Sequence, residues 1–215
     1  MRYPPEETAA KHQRVLSLAA AMIRERGIDA VSVSELMKGA GLTHGSFYSH
    51  FASKDDLASA ALKEAMNQKA ALLAQALADP ASAKQRFVEQ YLSTTHRDEC
   101  GDGCPMAALA VEVGRRGKDR SLLGGYLKGL LDRLTGGFRW GKRGSERDQA
   151  ILLMSAMLGA VILARAVDDE ALSDEILAAT QRQLLGDGHP PTLGATVVVS
   201  SPEGGGPSGG STPVL

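Results

Sequence analysis

A chain of 215 residues with 43% hydrophobic and 23% charged residues has apolar content for a packed core of one or two domains and the charge of an ordinary soluble protein. Its net charge of −1 gives no global pull toward nucleic acid or an anionic membrane, and two cysteines are too few for a disulfide scaffold. The polar start, with Pro4, Pro5, Glu6 and Glu7, has no signal-peptide pattern, and the most apolar run, residues 150–164, falls short of the ~20 residues that span a bilayer. A cytoplasmic protein without membrane contact is expected.

In chain order, residues 1–9 read as a loose, flexible polar arm. Residues 10–26 carry apolar Val15, Leu18, Ala19, Met22 and Ile23 at helical spacing, with Gly27 as the stop. Ser32-Val33-Ser34-Glu35 fits a capping box and opens a short helix that ends at Gly41. Thr43 is placed to cap a third helix over residues 44–50, and Ser53-Lys54-Asp55-Asp56 opens a long fourth helix to about residue 77. Further helices are expected over residues 84–93, 105–113, 119–138 and 145–167, and over 173–185 with Ser173 as its cap. Gly124, Gly125 and Gly129 in the 119–138 segment suit close packing. No stretch before residue 190 alternates convincingly as a strand. The fold class is therefore all-α, with about nine helices. Residues 186–215 hold eight Gly and five Pro without Lys or Arg, and read as a disordered tail.

The densest chemistry lies in residues 42–56, which hold Phe47, Tyr48 and Phe51 together with His44 and His50. Two short helices joined at Ala40-Gly41-Leu42-Thr43 match a helix-turn-helix, whose second helix enters the major groove N-terminus first. Its first-turn amides and positive dipole end favour phosphate. Gly45 allows the backbone to come close to base edges, Thr43 and His44 are able to donate to bases or phosphates, and Tyr48 and His50 suit the sugar-phosphate wall. Lys54 sits against the dipole of its own helix, a conflict that a phosphate would relieve. Phe47 and Phe51, four apart, belong to the core. Against DNA stands the balance of residues 1–60, seven Lys/Arg against seven Asp/Glu. A helical interaction module without DNA binding is the alternative this balance keeps open.

Residues 11–60 resemble the DNA-binding domain of the TetR/AcrR family of bacterial one-component repressors. The resemblance rests on Ala19-Ala20, Arg26-Gly27-Ile28, Val31-Ser32-Val33-Ser34-Glu35-Leu36, Ala40-Gly41-Leu42-Thr43, Gly45-Ser46-Phe47-Tyr48-Ser49-His50-Phe51 and Ser53-Lys54-Asp55-Asp56-Leu57. It implies groove-facing roles for Thr43, His44, Gly45 and Tyr48, phosphate contacts at His50 and Lys54, and a position near the backbone for Ser32 or Val33. It also implies a division into a helix-turn-helix domain, residues 10–52, and a helical ligand-binding and dimerisation domain, residues 53–185. The implied partners are a palindromic double-stranded DNA operator, a small-molecule effector and a second copy of the chain. Helices 145–167 and 173–185 are the expected dimer elements, the first being apolar nearly all round.

Candidate effector contacts are Met66, Tyr91, Cys104, Met106, Tyr126 and Trp140, a set that suits an apolar or weakly polar ligand. The segment Cys100-Gly101-Asp102-Gly103-Cys104-Pro105-Met106-Ala107-Ala108-Leu109 resembles a loop-to-helix motif of one subset of the family. With His96 it gathers metal-ligand residue types, but Cys-x3-Cys without a second pair is a poor zinc signature, so no metal or cofactor is expected. Cys104 at a helix N-terminus leaves thiol or electrophile sensing through Cys100 and Cys104 as an alternative. No nucleophile–base constellation is present elsewhere, so the expected function is a ligand-responsive repressor and not an enzyme.

Overall fold

The computed structural model describes residues 5–142, 144–186 and 191–194, and among these there is no strand. The elements are α1 (Pro5–Arg26), α2 (Val33–Gly39), a first 3-10 helix (His44–Ser49), α3 (Lys54–Ala76), α4 (Ala83–Tyr91), α5 (Thr94–Asp98), a 3-10 turn (Cys100–Asp102), α6 (Pro105–Arg116), α7 (Arg120–Gly137), α8 (Glu146–Ala166) and α9 (Glu170–Leu185). The short α5 and the cysteine turn are additions to the helices expected from periodicity. Helix α1 starts at Pro5, so residues 5–9 of the expected arm are helical. Residues 1–4 of that arm lie outside the described residues.

Helices α1, α2, the first 3-10 helix and the start of α3 pack around Val15, Ala19, Ile23, Leu36, Met37 and Phe47. Phe47 and Phe51 are both buried, with ring centroids 5.7 Å apart. Full burial of such a side chain stabilises by roughly 1.5–3 kcal/mol. The apolar core is continuous from here to Leu177 in α9.

Several local expectations are corrected by partners on neighbouring elements. Ser32 accepts from the Glu35 amide at 3.5 Å, but the Glu35 carboxylate pairs with Arg26 at 2.7 Å, so only half of the capping box forms. Helix α9 starts at Glu170, capped by Asp169, which accepts the Leu172 amide at 3.1 Å. Ser173 is buried within its first turn and donates to the Ala164 carbonyl at 2.8 Å, tying α9 to α8. A Cβ at Gly124, Gly125 or Gly129 would meet nothing within 4 Å, so packing inside this chain does not require these glycines. Asp119, at φ 63°, turns the chain into α7, and its carboxylate accepts from Ser59 of α3 at 2.8 Å.

Helix α8 has 21 residues and is long and apolar enough to cross a membrane by length and composition, unlike the shorter run read from the sequence. One side of it, with Leu153, Met154, Met157 and Val161, is core. The other leaves Ile151, Leu152, Ile162 and Leu163 exposed.

Part of the expected tail returns to the body. The Leu193 carbonyl accepts from both the amide (3.0 Å) and the hydroxyl (2.9 Å) of Thr94 at the start of α5. The Thr192 amide donates to Gln181 Oε1 at 3.0 Å, and Gln181 Nε2 donates to the Leu92 carbonyl at 3.2 Å, which satisfies a buried amide from both ends. Residues 187–190 and 195–215 of that tail lie outside the described residues.

Candidate nucleic-acid interface and effector cavity

The expected third helix is a 3-10 helix over His44–Ser49. Its serines explain the tighter winding. Ser46 Oγ donates to the Thr43 carbonyl at 2.7 Å and Ser49 Oγ to the Ser46 carbonyl at 2.6 Å, each three residues back. At six residues it is too short for a helix dipole to carry much of an anion contact, so recognition would fall to side chains. Thr43 stands at the N-cap position without using its hydroxyl as a cap. Thr43, His44, Gly45 and Tyr48 are all exposed, Tyr48 by 71%. A Cβ at Gly45 would meet nothing within 4 Å, so nothing in this chain demands a glycine there.

His50 is half-buried, its ring 5.7 Å from that of His12. Burial, followed by His12 and Lys11, lowers its pKa. Lys54 is exposed and donates from Nζ to the Asp29 carbonyl at 2.9 Å, an internal tie absent from the sequence reading. Ser32 is exposed and Val33 half-buried at the start of α2.

The charge balance of residues 1–60 changes meaning once the fold is known. Glu35 is paired with Arg26. Asp29 pairs with Arg116, and Asp55 pairs with Arg116 at 2.9 Å and Lys118 at 3.1 Å. Two of these cations come from outside the first sixty residues, while Lys38 and Arg14 remain exposed.

A cavity of about 360 Å³ opens between α3, α4, α5 and the cysteine turn, within the size range of small-molecule sites. Leu72, Leu73, Ala76, Phe87 and Tyr91 form an apolar wall, and Lys69, His96, Glu99, Asp102 and Cys104 a polar end. Tyr91 and Cys104 line it. Met66 and Met106 are buried in the core outside its lining, and Tyr126 and Trp140 are half-buried there. The remaining wall residues have ordinary apolar helix positions, with no sequence signal to mark them.

His96 is fixed by two hydrogen bonds. Its Nδ1 lies 2.6 Å from the Tyr91 carbonyl, and its Nε2 accepts the Cys104 amide at 3.0 Å. The tautomer is therefore Nδ1–H, and burial lowers its pKa to about 4. With both ring nitrogens occupied it is a neutral strut for the loop. Cys104 is buried, Cys100 is half-buried and both are free thiols. Among the described residues no group of three or more His, Cys, Asp or Glu is arranged to hold a metal ion.

This loop and α6 also touch the N-terminal unit. Arg24 of α1, 5% exposed, donates from Nε to the Gly101 carbonyl at 2.6 Å and from Nη2 to Gln68 of α3 at 3.0 Å. Glu112 of α6 accepts the amides of Ile28 (2.9 Å) and Asp29 (3.0 Å).

Residues 15–61 match the family model described as bacterial regulatory proteins, tetR family. The chain is 31% identical over 172 residues to the HTH-type transcriptional regulator Rv0196 of Mycobacterium tuberculosis, covering 71% of this chain and 83% of that protein. It is 46% identical over 48 residues to the HTH-type transcriptional repressor KstR2 of the same organism, 22% of this chain and 24% of that one. The fold is that of a TetR-family regulator from Agrobacterium tumefaciens (TM-score 0.69, 23% identity, 82% of this chain and 96% of that chain). These relatives are transcriptional regulators. The chain belongs to the TetR family of bacterial regulatory proteins.

Proposed function

We propose that the protein is a cytoplasmic repressor that holds a palindromic operator as a homodimer and releases it when a small molecule fills the α3–α5 cavity. Regulators of this family bind DNA operators and small-molecule effectors and act as dimers. In this reading residues 10–52 are the DNA-binding unit and residues 53–185 the ligand-binding and dimerising unit. Thr43, His44, Gly45 and Tyr48 face the groove, His50 and Lys54 meet phosphates, and Ser32 and Val33 lie near the backbone. The observation that carries it is the exposed edge of the first 3-10 helix, where a large aromatic and an unneeded glycine are presented to solvent side by side. Tyr48 offers there a ring and a hydroxyl suited to the sugar-phosphate wall.

The dimer surface is the outer face of α8 with α9. Leu152, Gly159 and Leu163 fall on one stripe with Ile151 and Ile162, and Leu172 of α9 is also exposed. A Cβ at Gly159 would meet nothing within 4 Å, leaving room for a close helix from a second copy. Such a stripe is recovered as stability only when covered. This reading also accounts for an apolar 21-residue helix without placing it in a membrane.

Helix α3 links the two units and, with α6, would carry the effect of ligand as a shift between dimer geometries, with reciprocal coupling to DNA. A second reading, thiol or electrophile sensing through Cys100 and Cys104, is favoured by the place of Cys104 on the cavity wall. Mobility shift with the DNA beside the gene tests the main reading. A retarded band at low salt that weakens with salt is expected, and no band with any upstream fragment would leave only the interaction-module alternative. Loss of oxidant-driven release in Cys104→Ser would favour the second reading; an unchanged oxidant response in that variant would exclude it.

A further inference from the structure

Two buried polar atoms, Arg24 Nη1 and Tyr91 Oη, have no hydrogen-bond partner among the described residues. Both are costly to leave so, since an unsatisfied buried donor forfeits its hydration, about 1–3 kcal/mol and more for a charged group. Orphaned buried groups of this kind mark the place of an absent ligand or water.

Their positions converge on the polar end of the cavity. Tyr91 lines it and is 8% exposed. Arg24 is anchored at Gly101 and Gln68, the immediate neighbours of Asp102 and Lys69, which also line it. The guanidinium therefore stands behind that wall, with Nη1 as its uncommitted edge. Cys104, another lining residue, lies within electrostatic reach of Arg24, and its thiol is close enough to the Tyr91 hydroxyl for a weak sulfur contact that falls short of a full hydrogen bond. The other polar groups there are largely committed. His96 uses both ring nitrogens, Ser93 donates to the Gln90 carbonyl and accepts the His96 amide, and Lys69 pairs with Asp102 at 3.2 Å.

We infer that the effector is a neutral, mostly apolar molecule whose carbonyl-type oxygen is received by the Tyr91 hydroxyl, with the Arg24 guanidinium behind that wall and the molecule's apolar body on Leu72, Leu73, Ala76 and Phe87. The proposal rests on the cavity being the effector site. The head group is an acceptor because the Tyr91 O–H, though also able to accept, has nothing to donate to, and the guanidinium behind it can only donate. It is uncharged because Arg24 already has Asp102, Glu25 and Glu64 around it, and Glu99 stands at the cavity unpaired. A further carboxylate would meet four acidic groups for two guanidiniums, Arg24 and Arg165, and one lysine. Since Arg24 belongs to α1, the wall behind that oxygen is braced by the DNA-binding unit.

Calorimetric titration of the full chain with three probes of matched shape tests this: 4-phenylbutan-2-one, butylbenzene and 3-phenylpropionate. The ketone is expected to bind at least about tenfold more tightly than the hydrocarbon and than the acid. Tyr91→Phe should bring the ketone close to the hydrocarbon and leave the hydrocarbon unchanged. A ketone no tighter than butylbenzene, or one unaffected by Tyr91→Phe, overturns the head-group assignment while the cavity stands as a ligand site. An acid as tight as the ketone overturns its neutrality. Binding of none of the three at millimolar concentration removes both the assignment and the cavity reading.

Discussion

The carboxylate of Glu112 accepts the backbone amide of Ile28 at 2.9 Å, across 84 residues of sequence. It takes the Asp29 amide as well, and a Cβ at Gly27 would stand 2.9 Å from the same oxygen. The corner between α1 and α2 is thus held by a side chain of α6. Glu112→Ala should destabilise the protein by about 1–3 kcal/mol, the cost of losing charge-assisted bonds to a half-buried corner. Urea unfolding measures this, and amide exchange at residues 28 and 29 should accelerate. Unchanged exchange there would mean that the corner holds itself.

Gly45→Leu should leave helicity and melting temperature close to wild type, because the added side chain enters open space. Specific operator binding should be lost, as measured by mobility shift against competitor DNA. Retained specificity would show that no close approach occurs at this residue.

Lys54→Ala separates two roles of one amine. If Lys54 neutralises a phosphate, the slope of log affinity against log salt should flatten by about one unit for every sequence tested. If its bond to the Asp29 carbonyl is its whole role, stability falls and the slope stays.

Leu152→Glu combined with Leu163→Glu should convert the dimer to monomer, since each places a charge on an apolar stripe. The dissociation constant should rise by about 100-fold or more, read by sedimentation, while helicity is kept. A dimer of unchanged affinity would place the interface elsewhere.

His96 gives the protein an acid-sensitive step. Its folded pKa, about 4, lies below the ordinary 6.5, so between these values the unfolded chain binds more protons. The stability it protects is complete above the unfolded value and is lost as pH falls toward the folded one, amounting to roughly 3 kcal/mol. His50 acts in the same direction. The difference between wild type and His96→Gln in urea midpoint across this window isolates the contribution of His96. Parallel pH profiles would contradict it.

The DNA-binding end was legible because its signals are local: Gly41 at φ +72° in the turn, Ser53 accepting the Asp56 amide at 3.0 Å, and an aromatic pair four residues apart. What escaped the sequence depends on partners in other elements, some of them far along the chain. Glu35 fits a capping box by spacing, yet Arg26 is a stronger partner for its charge. Ser173 has the composition of a cap, yet Ala164 claims its hydroxyl. Leu72, Leu73 and Phe87 look like core in any helix, and only the placing of α3 against α4 turns them into a cavity wall. Arg24 reads as one more surface arginine until Gly101 and Gln68 bury it.

The bonds from Thr94 to the Leu193 carbonyl bear on the order in which the protein matures. A ribosome delivers the chain from its N-terminus. The contacts that brace the DNA-reading corner, Glu112, Arg116 and Asp119, emerge well before residue 193. Ser93 and Thr95, on either side of Thr94, line the cavity. The wall that would sense a ligand is therefore finished last, after the part that would read DNA has all its braces.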